Sequence, residues 1–441
     1  VDGLQGVQGR VGAHGVALCC GYSARMPSPF SSSDLAAALR LAVVDALAAG
    51  PRFDPFPNID LAVLALPKGR PPVAANVLFS CEMPAGLVVE RQGGFGAVQG
   101  VRFLADARGL DGTSLAWVAG TDWRHLPEAT FAPLAGEGPQ RFIAPYPASL
   151  IKLMVAVAVA RLVDEGGAQW DEPWPHGHAA GALAPSVAQW CEPMIVASSN
   201  EATSALVALL HARGFIRRAG WVAGQRDSGQ EVQNALHTLF DAHGLATLRL
   251  ANTKPDGGWL NGDGAAVGQL QMTAWDTVRL LWRLMADDAP PAPWLPDAPA
   301  PLLSPAGRAR VWGWLRGQAL HEVLSSTLVA GQPGWQPGIA ARLPARWIAA
   351  DGGVSVAGRH FAPDVRPANA AADATFAHKT GGTASYASDA GLVQGDDGRR
   401  YLIALITTLG NRHAPHAGVA VPWALPRIGA AVDAWLKARL P

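Results

Sequence analysis

The chain has 441 residues, room for up to about three domains, and 49% of them are hydrophobic, enough for a sizeable core. Its 35 basic side chains match 35 acidic ones, which excludes the basic footprint of a nucleic-acid-binding protein and any strong pull toward an anionic membrane. No run of 18 uncharged apolar residues occurs, so no transmembrane span is predicted, and the 49 glycines and 35 prolines have no three-residue period, which excludes collagen and predicts many turns.

Residues 1–33 are rich in Gly and Ser and read as loosely structured. Ser33-Asp34 offers a cap for an amphipathic helix over 35–49. The apolar run 61–66 reads as a strand, and Gly93-Gly94-Phe95-Gly96 as a plain turn, since the full dinucleotide-loop spacing is missing. Strands are predicted over 101–107 and 114–119. The stretch 150–163 is apolar on nearly every side, the mark of a buried helix. Helical patterns follow at 203–213, 231–243, 273–285 and 308–320, with a proline-rich linker over 287–305 and a long Gly-, Pro- and Ala-rich insertion over 331–375. Strands are predicted at 376–379, 390–393 and 401–408, the last two flanking the turn Asp396-Asp397-Gly398, and a terminal amphipathic helix at 428–440. Strands, then helices, then strands and a helix describe an α+β fold whose sheet is interrupted by an all-helical insertion.

Four cysteines, at 19, 20, 81 and 191, include no CxxC pair. Pairing of Cys19 or Cys20 with Cys81 and buried free thiols are equally open readings. His176-Gly177-His178 and the pair His413, His416 have spacings seen in metal sites, but no carboxylate or thiol cluster accompanies them, and neither a metal nor a cofactor is predicted. The sixteen tryptophans are scattered and read as packing residues.

Three short motifs carry the chemistry. In Ser149-Leu-Ile-Lys152 the hydroxyl and the amine are three residues apart, on one helix face. At the start of a buried helix, low dielectric and the helix N-terminus both disfavour the ammonium. A neutral Lys152 there is able to take the proton of Ser149 and make it a nucleophile. Only five lysines are present, so about 0.2 such pairs are expected by chance. Ser198-Ser199-Asn200 precedes a helical pattern. It reads either as a helix cap with Glu201 in the first turn or as a loop presenting a hydroxyl and an amide, for which a turn is required. Lys379-Thr380-Gly381-Gly382 lies on a predicted exposed strand, where a cation and a hydroxyl suit a substrate carboxylate and the glycines admit a second backbone.

The ordered set SxxK, SxN, KTG resembles that of the penicillin-binding proteins and class A β-lactamases, over roughly residues 97–441. The resemblance implies an α+β, β-lactamase/transpeptidase-like fold, an antiparallel sheet flanked by helices with an inserted all-helical subdomain. Residues 97–148 and 376–441 would form the sheet subdomain, 149–375 the helical subdomain with long insertions, and 1–96 an N-terminal extension of unknown role. It further implies Ser149 as the acylated nucleophile, Lys152 as its base and Ser198 as a proton relay to the leaving nitrogen. Asn200 would orient Lys152 and the substrate amide, Lys379 and Thr380 would hold a carboxylate, and the N–H groups of Ser149 and Gly382 would form the oxyanion hole. The expected function is a serine hydrolase acting on an amide or ester of a small molecule or peptide through an acyl-enzyme. The alternatives are a protein acylated without efficient turnover and a D-alanyl peptidase. A periplasmic or secreted location rests on the resemblance, since no signal-peptide pattern is present in this chain.

Departures from the family pattern are informative. Arg249-Leu250 resembles the start of the loop that in class A β-lactamases carries a Glu-Pro pair holding the deacylating water. Here Lys254-Pro255-Asp256 follows, with Asn261 and Asp263 beyond, so a lysine stands where a glutamate is expected, and Asp256 or Asp263 would have to substitute. Cys191 falls where such enzymes have a disulfide cysteine, but the partner position is Ala156.

Overall fold

The computed structural model describes residues 30–105, 131–177, 183–225, 228–259, 270–285, 290–295, 301–361 and 363–440. Its centre is an antiparallel sheet of six strands: β1 (Ile59–Ala65), β2 (Val73–Phe79), β3 (Leu87–Val88), β4 (Ala374–Gly382), β5 (Ala387–Gly395) and β6 (Arg400–Thr407), in the spatial order β4–β5–β6–β1–β2–β3. Side chains alternate between two cores, as the two-residue period of a strand requires. Leu61, Val63, Ile403 and Leu405 face one core, while Ala62, Leu64, Leu402 and Ala404 face the other. Because both faces are covered, every residue of β1 and β2 is buried, and all are apolar but Asp60 and Asn76, whose amide donates to the Asp60 carboxylate at 2.8 Å.

One face is covered by helices α1 (Ser32–Ala48) and α9 (Ala424–Lys437), which also pack on each other. The other is covered by a helical body comprising α2 (Lys152–Asp164), α3 (Val187–Val196), α4 (Asn200–Ala212), α5 (Ala235–Ala242), α6 (Ala274–Leu284) and α7 (Pro305–Arg316). Within it α2 is the axis, buried from Lys152 through Ala160 without a break. The architecture is therefore α+β with a helical insertion, as expected. No helix among the described residues is long and apolar enough to cross a membrane.

Several expectations are corrected. Residues 59–88, assigned to an extension of unknown role, supply half of the sheet, because β1 pairs with β6 in register from Ile59 with Thr407 to Ala65 with Tyr401. The described parts of 97–148, residues 97–105 and 131–148, do not join that sheet. Val101–Ala105 instead pairs with Ala132–Ala135 and Gln140–Ile143 in a sheet of three strands. The cap of α1 is Ser31, whose hydroxyl accepts from Asp34 N at 3.1 Å while the Asp34 carboxylate accepts from Ser31 N at 2.9 Å, so the helix starts three residues earlier than the apolar periodicity shows. Residues 230–234 are a strand paired with Ile216–Ala219, and helix α5 begins only after Asn234 caps it. The 308–320 pattern is helical from Pro305 to Arg316 and stops there. The predicted strand 114–119 and most of the N-terminal stretch 1–33 lie outside the described residues.

The insertion between α7 and β4 folds around its own small core of Ala319, Leu328, Leu343, Val354, Phe361 and Val365. It contains a hairpin, Val354–Val356 with Arg359–Phe361, and the short helix α8 (Arg366–Ala371).

A buried charge cluster fastens the β5–β6 hairpin to α9. The Arg399 guanidinium, 1% exposed, donates to Asp433 at 2.9 and 3.0 Å, to Asp373 at 2.7 Å and to Asp397 at 2.9 Å, and Tyr401 OH donates to Asp433 at 2.8 Å. Replacing Arg399 with Met leaves the Asp433 carboxylate buried without its cation, a loss of about 3–5 kcal/mol. Urea unfolding should show that drop, and Asp433→Asn in the same chain should restore part of it, since the two residues share one network. Additive losses would contradict the coupling.

Candidate active site

The first motif sits where a loop enters the helical body. A 3-10 turn, Ala148–Ile151, runs directly into α2 and places Ser149 and Lys152 on the same side of one turn. Lys152 is 1% exposed. Its Nζ lies 2.8 Å from Ser149 Oγ, 2.8 Å from Asn200 Oδ1, 2.8 Å from Ser198 O and 3.1 Å from Ser198 Oγ. An ammonium has only three N–H bonds for these four acceptors, whereas a neutral amine has two and a lone pair able to accept the Ser149 O–H. Burial drives Lys152 well below the ordinary lysine range, and the nearby Lys379 charge adds to the effect.

The second motif resolves its two readings by doing both. Ser199 is the cap of α4, its hydroxyl accepting from Ala202 N at 3.1 Å. Its neighbours Ser198 and Asn200 turn to Lys152 instead. Residues two apart reach one point because Ser198 takes the left-handed conformation, φ 57°, at a cost of about 1–2 kcal/mol for a residue with a Cβ. Ala148, beside the nucleophile position, does the same at φ 50°. Both strained residues flank the same cluster.

The third motif closes it from the sheet. Lys379 on β4 donates to Ser198 Oγ at 3.0 Å and to Thr380 O at 2.6 Å. The Ser198 hydroxyl therefore stands between two amines. A Cβ on Gly381 would come within 2.7 Å of both Ser149 N and Pro147 O, so only glycine lets β4 approach the nucleophile turn this closely. Ser388 on β5 completes the seam, donating to Pro147 O at 2.6 Å.

The expected exposed strand is corrected. The strand β4 is at the sheet edge, but Lys379 is 0% and Thr380 2% exposed, and of the four motif residues only Gly382 is open to solvent. Burial lowers Lys379 to about 7, against the opposing pull of Asp389 and Glu322. These two acids were missed in the sequence. Asp389 accepts from His378 Nδ1 at 2.7 Å and from Leu324 N at 3.1 Å, all beneath the motif strand. The available signal was two polar side chains, His378 and Asp389, on neighbouring strands, where they lie diagonally across the register that pairs His378 with Gly391 and Thr380 with Asp389.

Other candidates fall elsewhere. The turn carrying Lys254 packs on the flank of α4, where Gly257 meets Ser204 O and Thr253 Oγ1 lies 2.9 Å from His211 Nε2. Asn261 and Asp263 lie outside the described residues, as do His178, Cys19 and Cys20. Cys191 is a buried free thiol in α3. His413 packs edge-on against Phe53, while His416 bonds Gly418 N through Nδ1 at 3.2 Å, so the two rings are engaged separately.

No family model matches the chain, and no curated protein matches it. Solved structures do match. A PBP-A mutant, determined as an acyl-enzyme complex with penicillin G, is 15% identical, covering 94% of this chain and 100% of its own at a TM-score of 0.47. PBP-A itself is 15% identical over 94% of this chain and 99% of its own, with a TM-score of 0.46. A class A beta-lactamase from Bacteroides cellulosilyticus DSM 14838 is 13% identical, covering 92% of this chain and 99% of its own at a TM-score of 0.47.

Proposed function

We propose that the protein is a serine hydrolase that acylates Ser149 with a small-molecule or peptide substrate bearing an amide or ester and a nearby carboxylate. The observation that carries this reading is the buried Lys152 amine 2.8 Å from Ser149 Oγ, with its basicity depressed by burial. As Ser149 Oγ attacks the carbonyl carbon, its proton passes to the Lys152 lone pair. The oxyanion is met by the N–H groups of Ser149, in its 3-10 turn, and of Gly382, at the end of β4, which is pressed against that turn at Gly381. Collapse of the tetrahedral intermediate breaks the bond to the leaving nitrogen or oxygen, which takes a proton through Ser198 Oγ. Asn200 holds the amine in line, and Lys379 with Thr380 holds the substrate carboxylate. Water then cleaves the ester. A location outside the cytoplasm belongs to the same proposal.

Mixing with benzylpenicillin should add one acyl group to Ser149, read by intact mass. Ser149→Ala should abolish the adduct while leaving the thermal transition in place. Lys152→Arg keeps a cation but provides no base near neutral pH, so acylation should fall by about a hundredfold or more. Undiminished labelling of either variant defeats the assignment.

The two lysines set a pH dependence of opposite sign. Lys152 has to be neutral, so kcat/KM falls as pH drops through its depressed pKa. Lys379 has to be charged to hold a carboxylate; its cation is present below about 7 and lost above. Acylation by a carboxylate-bearing agent should therefore follow a bell, with its alkaline limb near 7. The methyl ester of the same agent should lack that limb, and Lys379→Arg should displace it to high pH.

A second reading concerns turnover. Among the described residues no carboxylate hydrogen-bonds Ser149, Lys152, Ser198 or Asn200, and Lys254 stands where the resemblance expects a glutamate. A cationic lysine does not activate water, so a penicillin adduct should persist after excess reagent is removed. Rapid loss of the adduct from the unaltered protein would show that another group serves as base.

A further inference from the structure

We propose that the protein has a second anion-binding subsite, just past the end of the Lys379–Gly382 strand, which receives an additional carboxylate of the acyl donor; the substrate class is then a dicarboxylate, an extension that rests on the acyl-transfer reading. The strand leads directly to it. Where Gly381 faces Ser149, the next residue, Gly382, faces the other way, and a Cβ there would lie 3.8 Å from Asn411 Oδ1. Asn411 is fixed to the strand's continuation by its N–H, which donates to Thr383 O at 2.8 Å. It also lines a cavity of about 440 Å³ whose wall includes Arg359, His416, Ala414, Val419 and Ala420.

Three polar side chains line this cavity from separate elements. Arg359 is presented by the insertion hairpin, whose two-residue turn, Ala357-Gly358, has both residues in the left-handed region, φ 53° and 70°. That turn type matches the twist of the strands and makes a rigid hairpin. The guanidinium is steadied by Phe361, 4.5 Å below it, and by a single bond from Nη1 to Glu322 at 3.3 Å. Among the described residues Glu322 is the one carboxylate bonded to it, and it occupies one of five N–H groups, so the fork that recognises a carboxylate remains available. His416 Nε2 is buried and has no hydrogen-bond partner, although its Nδ1 is engaged by Gly418 N. A buried ring nitrogen left unpaired is costly, and Nε2–H facing an incoming carboxylate oxygen removes that cost. Asn411 contributes an amide from the strand side. Arginine, imidazole and amide, walled by Ala414, Val419 and Ala420, suit a compact anion better than an apolar or cationic group.

Two measurements test this, one independent of catalysis. In protein carrying ring-15N histidine, with His416 identified by its loss in His416→Gln, titration with glutarate should move the His416 signal saturably. Arg359→Gln and Asn411→Asp, on different elements, should each abolish or strongly weaken that response. No saturable shift in the unaltered protein overturns the subsite. In the second measurement, acylation rate constants are compared for benzylpenicillin and α-carboxybenzylpenicillin, which adds one carboxylate. The ratio should favour the dianion, and Arg359→Gln should lower that ratio on the order of tenfold. An unchanged ratio also overturns the proposal. If neither penicillin acylates the protein, the acyl-transfer reading fails, while the glutarate titration still decides the subsite.

Discussion

A lysine amine taken out of water has to give up its proton or find enough acceptors to keep it, and most of this molecule's local architecture serves that requirement at Lys152. The helix that carries it is apolar on every side and buried from Lys152 through Ala160, so water is excluded and the charged form is disfavoured. Among the described residues the acceptors come from two places, the turn that precedes the helix and the start of α4. Bringing both Ser198 and Asn200 to one nitrogen forces Ser198 into a conformation that costs energy, and the cluster it joins offsets that cost.

The sheet enters this arrangement as a constraint on distance. Its edge strand β4 has to come within backbone contact of the nucleophile turn, and a glycine at 381 is the condition for it. The same approach buries Lys379, which would be untenable without the acids on its other side. Asp389 and Glu322 supply that compensation from β5 and from the segment after α7. Two amines therefore share one hydroxyl, and the charge of Lys379 adds to burial in lowering the affinity of Lys152 for a proton.

The insertion between α7 and β4 has a core of its own and brings an arginine to the open end of the same strand. The nucleophile turn and the segment carrying Asn411 thus approach β4 at adjacent residues, Gly381 and Gly382, whose opposite facing follows from the period of two in a strand.

Much of the site was legible from spacing. Ser149 and Lys152 are three residues apart on a helix, and local geometry alone brings them together; the buried character of that helix was written in its unbroken apolar run. The terminal hairpin and helix were equally plain from alternation and from Asp396-Asp397-Gly398. What local pattern cannot record is the partner. A strand's backbone hydrogen bonds are made by every residue type but proline, so nothing in 59–65 announces that it pairs with 401–407, and residues 59–88 read as part of an extension of unknown role for that reason. Residues 230–234 became a strand because Ile216–Ala219 lay beside them, and Thr380 became buried because the helical body closed over its strand. The sequence by itself determined which side chains could react and which faces had to be buried, since those depend on residue type and period. The tertiary structure decided which strands met, how far Lys379 was desolvated, and that Arg359, Asn411 and His416 line one cavity, since those depend on contacts between segments distant along the chain.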